Sequence, residues 1–171
     1  LLFNVTPGDP STLVLVGENA SVQLTKTFAA DQYTRALESW TWLDFTGKTP
    51  LFASLFGDVF FEAGEGCWHL DTLDGEFARV WDSREAMEAS LATPEGQDHY
   101  LLGGLAMSAE RSGITLDRSE VYDLAPPPIL GGPPKVENIT KMDFAVALNI
   151  AGQIHDQVRG LPPGTKISGF T

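Results

Sequence analysis

The sequence predicts an α+β fold, an antiparallel β-meander sheet packed against helices in a single domain over residues 1–171, and three observations carry that expectation. Three strand-like runs between Leu55 and Trp81 are joined by the short segments AGEG and LDG, and connections that short join antiparallel neighbours. Two later stretches, Thr93 to Ser112 and Met142 to Arg159, are apolar enough to cover such a sheet. At 171 residues and 43% hydrophobic, the chain can bury one substantial core and is short for two.

Residues 1–28 read as an N-terminal arm or extra strand, with TLVLVG from Thr12 to Gly17 as the strand and PGDPS before it as a turn. From Ala29 to Leu43, Tyr33, Ala36, Leu37, Trp40 and Leu43 recur at spacings of three and four, which is one helical face. FTGKTP breaks that helix, and strand-forming residues resume with LFASLFGDVFFE. The meander then runs Leu55 to Glu62, Cys67 to Thr72 and Glu76 to Trp81, with Asp74 and Gly75 suited to the positive φ angles of a hairpin turn. Side chains alternate along a strand, so Trp68 and Leu70 share one face while Cys67, His69 and Asp71 share the other.

A short helix follows Asp82 or Ser83 as N-cap, and Asp82 with Glu85 has capping-box spacing. A second begins at Thr93, with Pro94 at its first position, and stops near Gly113. Its centre, YLLGGLAMSA from Tyr100, holds no charge and is expected to be buried. Gly103 and Gly104 inside it cost about 2 kcal/mol together relative to alanines, which close packing would offset. EVYDLAPPPILGGPP reads as a proline-rich connector with an edge strand at Glu120 to Leu124. The last helix, Met142 to Arg159, places Phe144, Ala147, Leu148, Ala151, Ile154, His155 and Val158 on one stripe and ends at GLPPG.

The formal net charge is -12, and only 11 Lys and Arg are present. Phosphate contacts need such cations, so nucleic acid is disfavoured and a basic protein partner is the better fit. No apolar run approaches the roughly 18 residues a membrane-spanning helix needs, and the opening LLF is short for a signal-peptide core. A soluble cytoplasmic protein is expected, with a natural N-terminus upstream of Leu1 left open by the missing Met. Cys67 is the one cysteine and has no internal disulfide partner.

Cys67, His69 and Asp71 have the residue types of a metal or acid/base site. Same-face neighbours on a strand stand about 6.6 Å apart and the outer pair about 13 Å, whereas metal bonds are about 2.0 to 2.3 Å, so all three cannot converge without Asp58 or Glu62 from the adjacent strand. An ordinary, partly solvated sheet face explains them better. His155 lies on the apolar stripe, where a neutral imidazole hydrogen-bonded to a carbonyl is expected. His99, among Glu95, Gln97 and Asp98, reads as a surface histidine. There is no G-x-S-x-G elbow and no H-E-x-x-H. GLPPGTKIS is no phosphate loop, because Thr165 stands between Gly164 and Lys166 and no helix can follow before Thr171.

No nucleophile, base and orienting group assemble from these residues, so a protein-binding role without cofactor, metal or enzymatic activity is expected. A structural or signalling adaptor, and a hydrolase or metal-dependent enzyme using the His69 and Asp71 face, are the alternatives. The oligomeric state is left open.

The runs PLFASLFGDVFFE, WHLDTLDGEFARVW and EVYDLAPPPILGG, then VENITKMDFAVALNIAGQIHDQVRGLPPG, resemble a family of small bacterial proteins. They are similar to the C-terminal domain of immunity proteins that neutralise type VI secreted DNase toxins, a domain often preceded by a GAD-like segment. The resemblance covers Ala29 to Gly164 and rests on the F-G-D step at Phe56, Gly57 and Asp58 and the L-G-G step at Leu130, Gly131 and Gly132. It implies an immunity-type role against a basic toxin. Before Ala29 the chain departs from the family pattern.

Overall fold

Strand-forming residues dominate the chain up to Trp81, and in a computed structural model they build two antiparallel sheets. The structure describes residues 4–5, 13–17, 20–162 and 165. The first sheet joins β1 (Asn4–Val5), β2 (Leu13–Gly17) and β3 (Ala20–Gln23). The predicted strand at Thr12 to Gly17 is β2, while the PGDPS turn lies outside the described residues. The central sheet runs in chain order through β4 (Thr25–Lys26), β5 (Thr49–Ser54), β6 (Val59–Ala63), β7 (Gly66–Asp71) and β8 (Glu76–Trp81), every neighbour antiparallel.

The predicted strand from Leu55 to Glu62 is therefore corrected: its first residues form a tight turn between β5 and β6. Gly57 adopts φ +95°, a left-handed conformation that glycine reaches without a Cβ clash. Ser54 Oγ accepts hydrogen bonds from the backbone N–H groups of Phe56 and Asp58, at 3.2 and 3.1 Å. Such a side-chain acceptor competes with ladder pairing and reverses the chain here.

The helices are α1 (Ala30–Leu37), α2 (Arg84–Leu91), α3 (Pro94–Leu101), α4 (Gly103–Arg111) and α5 (Phe144–Val158). Helix α1 stops six residues short of the expected Leu43, because tertiary hydrogen bonds draw the following segment onto α5. Ser39 Oγ donates to the Asn149 carbonyl at 2.7 Å and Trp40 Nε1 to the Leu148 carbonyl at 3.0 Å. Ser83 caps α2, its Oγ accepting from Ala86 N, so the Asp82 and Glu85 capping box does not form. Thr93 caps α3 with Pro94 at its first position, as expected.

The predicted helix from Thr93 to Ser112 is in fact two. Leu102 takes φ 50° and closes α3, and Asp98 Oδ1 accepts the Gly104 N–H that opens α4, at 3.1 Å. Gly103 and Gly104 weaken helix propagation, and a nearby carboxylate supplies the alternative partner. The proline-rich connector carries β9 (Glu120–Leu124), which pairs with β10 (Ile139–Asp143) and not with the central sheet. Met142 thus belongs to β10, and α5 starts at Phe144 with Asp143 as its cap.

Both faces of the central sheet are covered. Phe52, Phe60, Cys67 and Trp81 pack with Met87, Leu91 and Leu101 from α2 and α3 and Ala106 from α4. Val59, Phe61 and Leu70 pack in a second cluster with Tyr33 and Trp40 and with Phe144 and Leu148 of α5, where the Tyr33 and Phe144 rings meet edge-on at 5.3 Å. Phe60 and Phe61 are fully buried on opposite faces, each stabilising the fold by about 1.5 to 3 kcal/mol. The face bearing Cys67 and His69, expected to be partly solvated, is instead core, with those residues 0% and 8% exposed. A sheet with helices on both sides has no solvated face at its centre.

The Gly57 turn gives a direct test. A Cβ at residue 57 would lie 2.6 Å from Leu148 Cδ1, and Leu148 is 1% exposed. Gly57→Ala is expected to lower unfolding stability by about 1 to 3 kcal/mol in urea titrations. An unchanged midpoint would refute this account of the turn.

Candidate functional site

Asp58 follows directly from the Gly57 turn and is 4% exposed. Its Oδ1 accepts hydrogen bonds from Thr72 N at 2.8 Å and Thr72 Oγ1 at 2.7 Å, and its Oδ2 accepts from Ser54 Oγ at 3.3 Å. Burial, reinforced by the nearby Asp71 carboxylate, pushes the Asp58 carboxyl up to about 7 against the pull of those hydrogen bonds. The carboxyl therefore joins the β5–β6 turn to the segment between β7 and β8. This link spans 14 residues of sequence, from Asp58 to Thr72.

Thr72 passes the connection onward. Its carbonyl lies 2.9 Å from His155 Nε2 on α5, and a carbonyl only accepts, so Nε2 carries the proton. His155 is 5% exposed and lies against the Trp40 indole, centroids 5.4 Å apart. The carbonyl-bonded imidazole expected from the apolar stripe is what the structure shows. Gly75, at φ +73°, lets the β7–β8 turn approach this ring: a Cβ there would sit 2.5 Å from His155 Nδ1.

The other chemistry-bearing residues of β7 do not converge on one point. The His69 ring lies among Phe60, Trp81 and Tyr100, with centroid separations of 4.7, 6.4 and 5.4 Å, and its buried Nε2 has no hydrogen-bond partner. Burial pulls its pKa down to about 4 despite the raising effect of Asp71. Asp71 Oδ1 accepts the Leu73 and Asp74 N–H groups, each at 2.9 Å, and so shapes the turn. Cys67 is buried, which raises its thiol pKa, and Glu62 faces Arg84 at 3.7 Å. His99 is exposed and stacks edge-on against Tyr100 at 4.5 Å. Among the described residues, no three His, Cys, Asp or Glu side chains are grouped to hold a metal ion. None of those residues' helices is long and apolar enough to cross a membrane.

A groove of about 70 Å³ opens between α5, β9 and the connector, and sequence reasoning did not find it. Leu124, Ile129, Met142, Leu148, Ile150 and Ile154 line it, Thr72 and His155 contribute polar atoms, and Asp123 supplies a carboxyl. Burial raises the pKa of Asp123 above the usual carboxylate range. The available signal was Val146 and Ile150, an aliphatic pair one helical turn apart that falls off the inward stripe of α5.

No curated protein matches this chain. Residues 84–155 match the family model for the T6SS immunity protein Tdi1, C-terminal. Over that stretch the chain resembles this immunity protein. The matched residues run from α2 through most of α5 and include the Leu130 to Gly132 step, whereas the Phe56 to Asp58 step lies before them. Among solved structures, the crystal structure of Atu4351 from Agrobacterium tumefaciens aligns with a TM-score of 0.49 at 16% identity. That alignment covers 77% of this chain and 66% of that one.

Two opposed pH dependences follow. The Asp58 carboxyl ionises near 3.8 when unfolded and near 7 when folded, so its contribution is full below about pH 4 and is lost as pH rises through 7. Asp58→Asn should remove this loss: the stability of wild type relative to the variant should fall between pH 4 and pH 7. A constant difference across that range would contradict the raised carboxyl. His69 runs the other way, from an ordinary 6.5 down to about 4. Its contribution is present above pH 6.5 and is lost as pH falls toward 4, with a slope of about 1.4 kcal/mol per pH unit. His69→Phe should therefore gain stability over wild type on acidification from pH 6.5 to pH 4.5, read from urea midpoints.

Proposed function

We propose that the protein is an immunity-type inhibitor that binds a secreted toxin and neutralises it, with no enzymatic activity of its own. The observation that carries this reading is the match of residues 84–155 to the T6SS immunity protein Tdi1 family model. The net charge of -12 supports it. A toxin that cleaves DNA presents a basic surface to phosphate, so an acidic inhibitor is steered toward that surface and masks it. The inhibitor acts in the cytoplasm, where such a toxin meets DNA.

The site chemistry supports a binder over the hydrolase or metal-enzyme alternative. Asp71 is occupied by the backbone N–H groups of its own turn, and His69 is walled in by aromatic rings. Neither side chain faces the groove. The groove's own polar side chains are Thr72, Tyr122, Asp123 and His155, and none is paired as an activated nucleophile, the Tyr122 hydroxyl being held by the Ile114 carbonyl at 3.0 Å.

Co-expression with the toxin encoded beside its gene tests the reading. The chain is expected to restore growth and to co-purify with the toxin. Raising salt from about 0.05 to 0.5 M should slow association by about tenfold, as screening removes the steering. Absence of both rescue and complex would refute the proposal.

A further inference from the structure

The groove between α5, β9 and the connector combines an aliphatic cavity, exposed aliphatic rims and one carboxyl. Its volume of about 70 Å³ holds roughly five waters, which is about the room of one large aliphatic side chain. Ile129 and Ile150, on its rim, are 39% and 41% exposed. Val146, one turn earlier on the same face of α5, is 48% exposed and extends the apolar surface beyond the cavity. All the lining residues except Phe56, Thr72 and Leu73 fall within residues 84–155, the part that resembles an immunity protein.

Asp123 decides what kind of segment fits. It is the one acidic side chain in the lining and is half-buried. Among the described residues it takes part in none of the five ion pairs. A carboxylate set in an aliphatic wall without a cation is poorly solvated, and an arriving cation relieves that cost. The chain's excess of negative charge also favours a basic partner over a second copy of itself.

We propose that this groove is the docking site for a toxin segment that inserts one large aliphatic side chain into the cavity and pairs an adjacent Lys or Arg with Asp123. The inference rests on the immunity reading and names the surface and the chemistry through which it operates. Binding orders the aliphatic anchor in a dry pocket, and the ion pair at the rim sets its register.

The test measures affinity for the toxin encoded beside the gene by calorimetry, with wild type, Ile150→Glu, Asp123→Asn and a control, Val80→Glu on β8, 38% exposed and outside the groove. Thermal unfolding of each variant confirms its fold, and light scattering reports self-association. Ile150→Glu is expected to weaken binding by at least about tenfold. Asp123→Asn should weaken it less and flatten its salt dependence, and Val80→Glu should bind as wild type does. Folded groove variants that bind the toxin with wild-type affinity would overturn the groove and leave the immunity reading standing. A wild-type chain that neither rescues growth nor binds would overturn both. If Ile150→Glu abolishes self-association but leaves toxin affinity unchanged, the groove is an interface between copies of this chain and the proposal fails.

Discussion

The rest of the structure depends on a buried carboxyl, Asp58, held between Ser54 and Thr72. Burying a charged carboxylate without partners is prohibitively costly, so the group is admitted only with its oxygens satisfied and its ionisation suppressed. Those requirements place three segments together. The β5–β6 turn supplies Ser54, the β7–β8 segment supplies Thr72, and the Thr72 carbonyl receives the imidazole N–H of His155 from α5. A further backbone hydrogen bond, from Tyr122 N to the Leu55 carbonyl at 2.7 Å, attaches β9 to the same turn. The walls of the groove are thus positioned by polar contacts around one turn, and apolar packing fills the space between them.

The two-sided burial of the central sheet explains why its chemistry-bearing residues support architecture. On a sheet with one solvated face, Cys67, His69 and Asp71 would meet water and substrate along one side of β7. Here α2 and α3 lie over Cys67 and His69, and Asp71 sits at the strand end, where its carboxylate organises the turn. The division of the Thr93 to Ser112 stretch at Leu102 serves this covering. Leu101 and Ala106, on either side of the break, are both fully buried in the same cluster. One straight helix would carry its apolar residues along one line, whereas two short ones follow a twisted sheet.

The segment that resembles an immunity protein is not the most regular part of the chain. It contributes α2 to α4, the β9–β10 hairpin and most of α5, and lies over a sheet that the family match does not include. The exposed aliphatic residues Ile129, Val146 and Ile150 all belong to this segment. A rigid scaffold that presents variable loops and one helix face is a common basis for recognition.

The sequence alone determined the α+β class, the antiparallel pairing from Val59 to Trp81, the cap at Thr93, the start of α2 at Asp82 or Ser83, and the inward stripe of α5 with His155 bound to a carbonyl. These are local matters, set by side-chain alternation, helical period and the hydrogen-bonding reach of neighbouring residues. Tertiary structure alone decided that α1 ends at Leu37, because Trp40 and Ser39 find carbonyl partners more than 100 residues away on α5. It also decided that the Cys67 and His69 face is covered, since nothing along β7 encodes which helices lie over it. Asp58 shows the same limit: the sequence placed it inside a strand from Leu55 to Glu62, whereas the fold sets it just after a turn, with its partner Thr72 14 residues further on. The groove was illegible for the same reason, because its lining comes from a turn, a hairpin, a connector and a helix that meet only when the chain is folded.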